Sequence, residues 1–255
     1  MTDVKPISMD DISAARDVLS GHVLRTPSIA VPAISKLTGV DVFLKLENQQ
    51  VTGSFKTRGS LVRMNALSDA ERRAGVVAAS AGNHAQGVGY HAERLGIPAT
   101  IYMPANTPFT KVARTEALGA EVILSGESVA ESRALAAETA ANDGRVFIHP
   151  YDDPYVIAGQ ATATVEFIED VADLDVIIVP IGGGGLAAGC CLAAHAMKPG
   201  LEVIGVQADA YPSMRQAFNG QPPHGRGATI ADGIAVKEPG EITTPILKAH
   251  MDIVE

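Results

Sequence analysis

From Val176 to Met197 the chain carries no Asp, Glu, Lys or Arg. An uncharged run of about 20 residues is long enough to cross a bilayer as a helix. This one cannot stay helical, because Pro180 and the four glycines Gly182, Gly183, Gly184 and Gly185 interrupt it near its start. The alternative is a buried strand over Val176–Val179, a glycine turn, and a helix over Leu186–Met197. No membrane association follows from it.

The same rhythm runs through the chain. Val42–Leu46, Val76–Ala79, Ala99–Met103, Glu121–Leu124, Val146–Ile148 and Val203–Val206 are short apolar runs. Runs of this kind predict strands buried on both faces. Helical segments lie between them. Thr107 followed by Pro108 predicts an N-cap and first helical residue, with Gly119 closing that helix, and Ser128–Asn142 is rich in Ala and Glu. Strands alternating with helices predict an α/β protein with a mainly parallel sheet, any second domain being an insertion of the same architecture.

Composition narrows the classes further. With 255 residues, 46% hydrophobic and 19% charged, the chain suits one large or two small packed domains and excludes general disorder. A net charge of −9 argues against a nucleic-acid partner. Cys190 and Cys191 are adjacent and match no staple or metal spacing, which predicts a reducing, cytoplasmic setting. The opening MTDVKPISMDDIS has no apolar core and does not read as a secretory signal.

Ligands of parallel α/β sheets bind at strand-to-helix turns, and three turns stand out. In the first, Gly182–Gly185 removes every Cβ, so N–H groups and the positive end of the next helix can receive a phosphate. Gly183, Gly185 and Gly189, with Asp209 ending the next strand, also fit a loose dinucleotide pattern, which keeps a nicotinamide-dependent oxidoreductase open. In the second turn, Asn48–Gly59, Ser54 predicts an N-cap and Lys56 falls in the first helical turn. A cation there opposes the helix dipole, which suits an imine-forming amine. Taken alone, the turn reads more simply as carrying a solvated lysine. In the third, Ser80, Ala81 and Gly82 leave room for a carboxylate, and Asn83 offers a donor and an acceptor. On its own Asn83 reads more simply as a cap, and His84 as a local hydrogen-bonding residue.

Together and in this order, Ser54–Gly59, Ser80–Gly87 and Gly182–Leu186 resemble the serine/threonine dehydratase family of pyridoxal-phosphate enzymes, with the two-lobed tryptophan-synthase β-like fold. Leu44–Glu47, Ile157–Gln160 and Ala231–Gly233 match as well. The resemblance implies pyridoxal 5′-phosphate held as an imine on Lys56. It implies that Phe55 packs near the cofactor, that Asn83 bonds the ring hydroxyl and that Gly182, Gly183, Gly184, Gly185 and Leu186 cradle the phosphate. Ser80, Ala81, Gly82, Asn83 and His84 would receive the substrate carboxylate. The implied reaction is loss of the β-hydroxyl from L-threonine, and secondarily L-serine, assisted by the cofactor phosphate, giving a 2-oxo acid and ammonia.

The resemblance also implies a small mobile lobe over 67–145, a large cofactor-binding lobe over 1–66 and 146–255, and a cytoplasmic dimer or tetramer. A racemase or serine-selective dehydratase is the alternative within the family, and a catalytically silent relative the alternative outside enzymes. Ala81 stands where racemases of the family carry a serine, which favours dehydration. Gln207 and Tyr211 stand where those racemases bind a metal, so no metal is expected. Family members continue a few dozen residues further, with a serine that meets the pyridine nitrogen. The expectation is therefore a fragment or a shortened relative, with apolar surface exposed and no C-terminal regulatory domain.

Overall fold

The computed structural model describes residues 6–254. Helix α1 (Met9–Leu19) starts on a capping box, in which Ser8 Oγ accepts from the Asp11 N–H and the Asp11 carboxylate accepts from the Ser8 N–H. An antiparallel ribbon of β1 (Ser28–Ala30) and β2 (Phe43–Lys45) flanks α2 (Pro32–Thr38). Then follow α3 (Lys56–Asn65) and α4 (Asp69–Ala74).

A four-stranded parallel sheet comes next. It comprises β3 (Val76–Ala79), β4 (Ala99–Met103), β5 (Glu121–Leu124) and β6 (Val146–Phe147), in the order β5-β4-β3-β6. Its crossovers are α5 (Asn83–Leu95), α6 (Phe109–Glu116) and α7 (Val129–Asp143). The long α8 (Pro154–Asp170) leads to a second parallel sheet, β7 (Val176–Pro180), β8 (Glu202–Val206) and β9 (Asp252–Val254), with α9 (Gly185–Met197), α10 (Ser213–Phe218) and α11 (Thr243–His250) between its strands. No helix among the described residues is long and apolar enough to cross a membrane.

Sheet-centred cores form for a local reason. β3 and β4 are buried throughout, and Val76, Ala78, Ile101 and Met103 pack with Val88 and Ala92 of α5. In the second sheet, Ile177, Val179 and Val203 pack under Ala187, Cys190 and Cys191 of α9. A third cluster joins α1, α3 and α8 through Ile12, Leu61 and Ala161.

Four local expectations are corrected. β5, β8 and β7 are not buried on both faces: Glu121 and Leu124 of β5 are exposed, Ile204 and Val206 of β8 are half-buried, and the burial of β7 alternates, with Val176 and Ile178 40% and 69% exposed. Only the face of β7 toward α9 is covered among the described residues. The Val42–Leu46 run forms an antiparallel ribbon strand, shorter at both ends. Pro108, not Thr107, takes the N-cap of α6, because its ψ of 134° is extended and the helix begins only at Phe109; Thr107 Oγ1 is left buried without a partner. Ser54 does not cap α3, since Phe55 at that position already has helical angles. The Ser54 hydroxyl is buried with no hydrogen-bond partner among the described residues.

Candidate active site

Lys56 is the first residue of α3, a helix held on two sides by α8 and α5. Against α8 the approach is backbone to backbone. A Cβ on Gly59 would lie 2.8 Å from the Val156 carbonyl oxygen, so only glycine allows the helices this close. Arg58, fully buried, fixes the same turn. Its guanidinium donates to both carboxylate oxygens of Glu47 at 2.8 and 2.9 Å and to both of Glu166 at 2.6 and 2.9 Å. Thr162 Oγ1 accepts its remaining N–H at 3.1 Å, and the Leu24 carbonyl shares an Nη2 proton at 3.3 Å. A buried charge so completely paired is tolerated, whereas a half-paired one is not.

Lys56 keeps part of its stem at the surface, but its ammonium turns inward and donates to the Pro150 carbonyl at 2.6 Å. It forms no ion pair with an acid among the described residues. Burial alone lowers its pKa from 10.5 to about 8. The Phe55 ring centroid is 5.3 Å from Nζ. This is the electrostatic state of an amine that can become a nucleophile near neutral pH.

The asparagine turn lies beside it. Gly82 is the N-cap of α5 and Asn83 its first residue, so Asn83 is not a cap. The Asn83 side chain is exposed and makes no hydrogen bond among the described residues. Ser80 Oγ accepts from the Gly82 N–H at 3.1 Å, and a Cβ on Gly82 would meet nothing, so the turn opens onto free space. His84 is buried and donates from Nε2 to the Ile148 carbonyl at 2.9 Å. Burial, then the Lys56 charge, lower its pKa to about 3, so the ring is neutral.

The glycine turn ends β7 and opens α9. Gly184 has φ +100°, and the N–H groups of Gly182, Gly183 and Gly184 donate to no group among the described residues. The turn is tightly walled. A Cβ on Gly183 would collide with the Tyr151 ring, and one on Gly184 would lie 2.7 Å from Thr243 Oγ1. Thr243 Oγ1 and the Gly240 N–H both donate to the Gly183 carbonyl, at 2.7 and 3.2 Å. Leu186 is partly buried against the α9 core.

A fourth turn, 148–153 between β6 and α8, was not singled out in the sequence, and it joins the other three. Ile148 accepts from His84, Pro150 accepts from Lys56, the Tyr151 ring lies against Gly183, and the Tyr151 backbone and Cβ lie against Gly185. The Tyr151 hydroxyl donates to the Glu238 carbonyl, and the Asp152 carboxylate accepts from the N–H groups of Glu241, Ile242 and Thr243. His149 Nδ1 accepts from the Asp152 N–H at 2.7 Å, and burial lowers its pKa to about 4. The available signal was position: this too is a strand-to-helix turn, rich in polar and aromatic side chains. Asp209, the acid of the dinucleotide pattern, is exposed in a surface turn.

A phosphorylated aldehyde fits these residues. Among the described residues, three glycine N–H groups without an acceptor precede the positive end of a 13-residue helix, and an amine without a carboxylate partner is connected to them through Pro150 and Tyr151.

Comparison with known proteins gives the same group. The family model described as pyridoxal-phosphate dependent enzyme matches residues 19–255. An L-threonine ammonia-lyase of Thermotoga maritima is 46% identical over 248 residues, which is 96% of this chain but only 62% of that relative's length. Threonine deaminase isoform 2 of Solanum lycopersicum superposes with a TM-score of 0.89 at 35% identity, covering 98% of this chain and 76% of that one. Maize serine racemase superposes with a TM-score of 0.92 at 33% identity, covering 98% and 77%. With its parallel sheets in the tryptophan-synthase β-like arrangement, the chain belongs to the pyridoxal-phosphate dependent enzyme family, within its serine/threonine dehydratase group.

Proposed function

We propose that the protein dehydrates and deaminates L-threonine, and secondarily L-serine, to a 2-oxo acid and ammonia, using pyridoxal 5′-phosphate. The observation that carries this reading is the enclosed amine of Lys56, lowered toward neutrality by burial and placed among the three turns. The similarity to an L-threonine ammonia-lyase and a threonine deaminase supports the choice of substrate.

When bound, the cofactor supplies an aldehyde that accepts an amine and a ring that draws electrons from the substrate α-carbon. Lys56 would hold the aldehyde carbon and, once displaced by the substrate amine, take the α-proton on Nζ. Gly182–Gly185 and Leu186 would hold the phosphate through N–H groups, and Asn83 would orient the ring hydroxyl, with Phe55 packed alongside. The Ser80–His84 turn would receive the substrate carboxylate at the start of α5. Burial and the nearby Lys56 charge lower the His84 pKa to about 3, which makes it too weak a base to compete with Lys56. Ala81 offers no proton to the opposite face of the α-carbon, which favours loss of the hydroxyl over racemisation.

Residues 67–145 would form a small lobe moving against 1–66 and 146–255. Lys111 pairs with Asp232 at 3.3 Å and Arg133 pairs with Glu238, so both contacts would hold the lobes closed. The working form would be a cytoplasmic dimer or tetramer.

The test is to reduce the cofactor-loaded protein with borohydride, digest it, and locate the labelled peptide while assaying 2-oxobutanoate release from threonine. Label on Lys56 together with threonine-dependent release is expected. Label elsewhere, or a Lys56→Ala variant with undiminished release, defeats the proposal.

A further inference from the structure

One buried polar pair has no part in the roles above. Thr57 Oγ1 and His91 Nε2 are 2.6 Å apart, joining α3 to α5, and the two residues are 0% and 1% exposed. This is the single side-chain hydrogen bond between those two helices among the described residues.

Its position along α5 matters. Asn83, Gly87 and His91 recur at every fourth residue, so they form one stripe of the helix. The stripe faces α3. A Cβ on Gly87 would lie 3.2 Å from the carbonyl carbon and oxygen of Lys56, and one turn further on His91 meets Thr57, the residue after Lys56. Asn83 heads the same stripe at the open end. The stripe thus acts as a ruler between the Asn83 amide and the amine of Lys56.

Gly87 has no side chain with which to resist sliding, and packing between apolar surfaces is poorly directional. A hydrogen bond is directional and weakens steeply as its angle closes below about 120°, so it resists sliding. Two apolar side chains of similar volume would fill the same space with no buried polar group to satisfy, so direction is what this pair adds. Burial lowers the His91 pKa to about 4, so the ring is neutral and the bond intact wherever Lys56 titrates.

We propose that His91, acting through Thr57, is a positioning residue that sets the register of α5 on α3 and hence the distance from Asn83 to the Lys56 amine. The proposal rests on Lys56 being the aldehyde-binding residue.

The experiment compares the wild type with Thr57→Val, His91→Leu, the double variant and Thr57→Ser, all in the full chain. Pyridoxal 5′-phosphate affinity and the rate of borohydride trapping on Lys56 are measured beside the urea midpoint. Failure to trap Lys56 in the wild type would sink the functional reading itself, separately from this inference. With Lys56 trapped, each single loss of the bond should weaken cofactor binding about tenfold. The double variant should regain the urea midpoint yet keep that loss, and Thr57→Ser, which retains the hydroxyl, should bind as the wild type does. Affinity that returns together with the midpoint in the double variant overturns the proposal, as does wild-type affinity in the single variants. Should the single variants fail to fold, the double variant and Thr57→Ser decide it by the same criteria.

Discussion

Gly59 of α3 and Gly159 of α8 touch through their backbones, such that a Cβ on Gly159 would stand 2.7 Å from the Gly59 Cα and 2.9 Å from its nitrogen. Neither contact atom is the end of a flexible side chain, so a larger residue must push the helices apart. Gly159→Ala should therefore destabilise the protein by about 1–3 kcal/mol, read as a lower urea midpoint with unchanged slope. Because α3 carries Lys56, cofactor affinity should fall with it. An unaltered midpoint would show that the crossing has slack.

The Lys56 amine makes cofactor-free stability depend on pH. Its pKa is about 8 when folded and 10.5 ordinarily, so between those values the unfolded chain holds a proton that the folded chain has lost. Stability then rises as pH rises through that window, by up to roughly 3 kcal/mol in total. Lys56→Met removes this dependence. The stability difference between Lys56→Met and wild type, followed by urea unfolding, should favour the variant at pH 7 and narrow between pH 8 and 10.5.

Three imidazoles act in the same sense at lower pH. His84, His91 and His149 have pKa values of about 3, 4 and 4, each lowered from 6.5 chiefly by burial. As pH falls below 6.5 the unfolded chain gains protons that the folded chain refuses until about pH 4, so stability falls across this interval. The slope should approach roughly 4 kcal/mol per pH unit if all three contribute. Replacing His84 by Gln should flatten it by about a third, as measured by denaturation at a series of pH values.

Gly183 faces the Tyr151 ring without room for a methyl group, and the ring cannot withdraw easily while its hydroxyl bonds the Glu238 carbonyl. Gly183→Ala should displace Tyr151 and narrow the glycine turn, weakening pyridoxal 5′-phosphate binding by on the order of 100-fold, the cost of a misplaced binding element. Equilibrium dialysis against the phosphorylated and unphosphorylated aldehydes separates the causes. The loss should be confined to the phosphorylated form, and an equal loss for both would place the phosphate elsewhere.

Much of this architecture is written locally. The runs at Val76–Ala79 and Ala99–Met103 are interior strands because they are largely apolar and their two polar side chains are paired within the protein, Thr100 with Glu121 and Tyr102 with Thr139. The Ala- and Glu-rich segment predicted from Ser128 forms α7, with Ser128 itself as the cap, accepting from the Glu131 N–H. The glycine turn is recognisable because only glycine takes φ +100° without strain. The three motif turns, taken in order, also carry enough chemistry to identify the family.

Other features depend on what packs against a residue from far along the chain. Ser54 has the chemistry of a cap, yet α3 begins with Phe55 already helical and leaves the hydroxyl unused. The apolar run at Val176–Val179 predicts two covered faces, but coverage is a property of neighbouring elements, and Ile178 has none over it among the described residues. Arg58, Thr57 and His91 give no sign in the sequence of being interior, because each is buried only by partners that the fold delivers.

The sequence by itself therefore determined most of the strands and three of the turns that follow them, but not β1, β9 or the 148–153 turn, since propensity and side-chain chemistry act over a few neighbours. Tertiary structure alone brought Ile148, Pro150 and Tyr151 against His84, Lys56 and Gly183. It also set the charge state of Lys56, because desolvation depends on enclosure from every side, and enclosure is a property of the assembled fold.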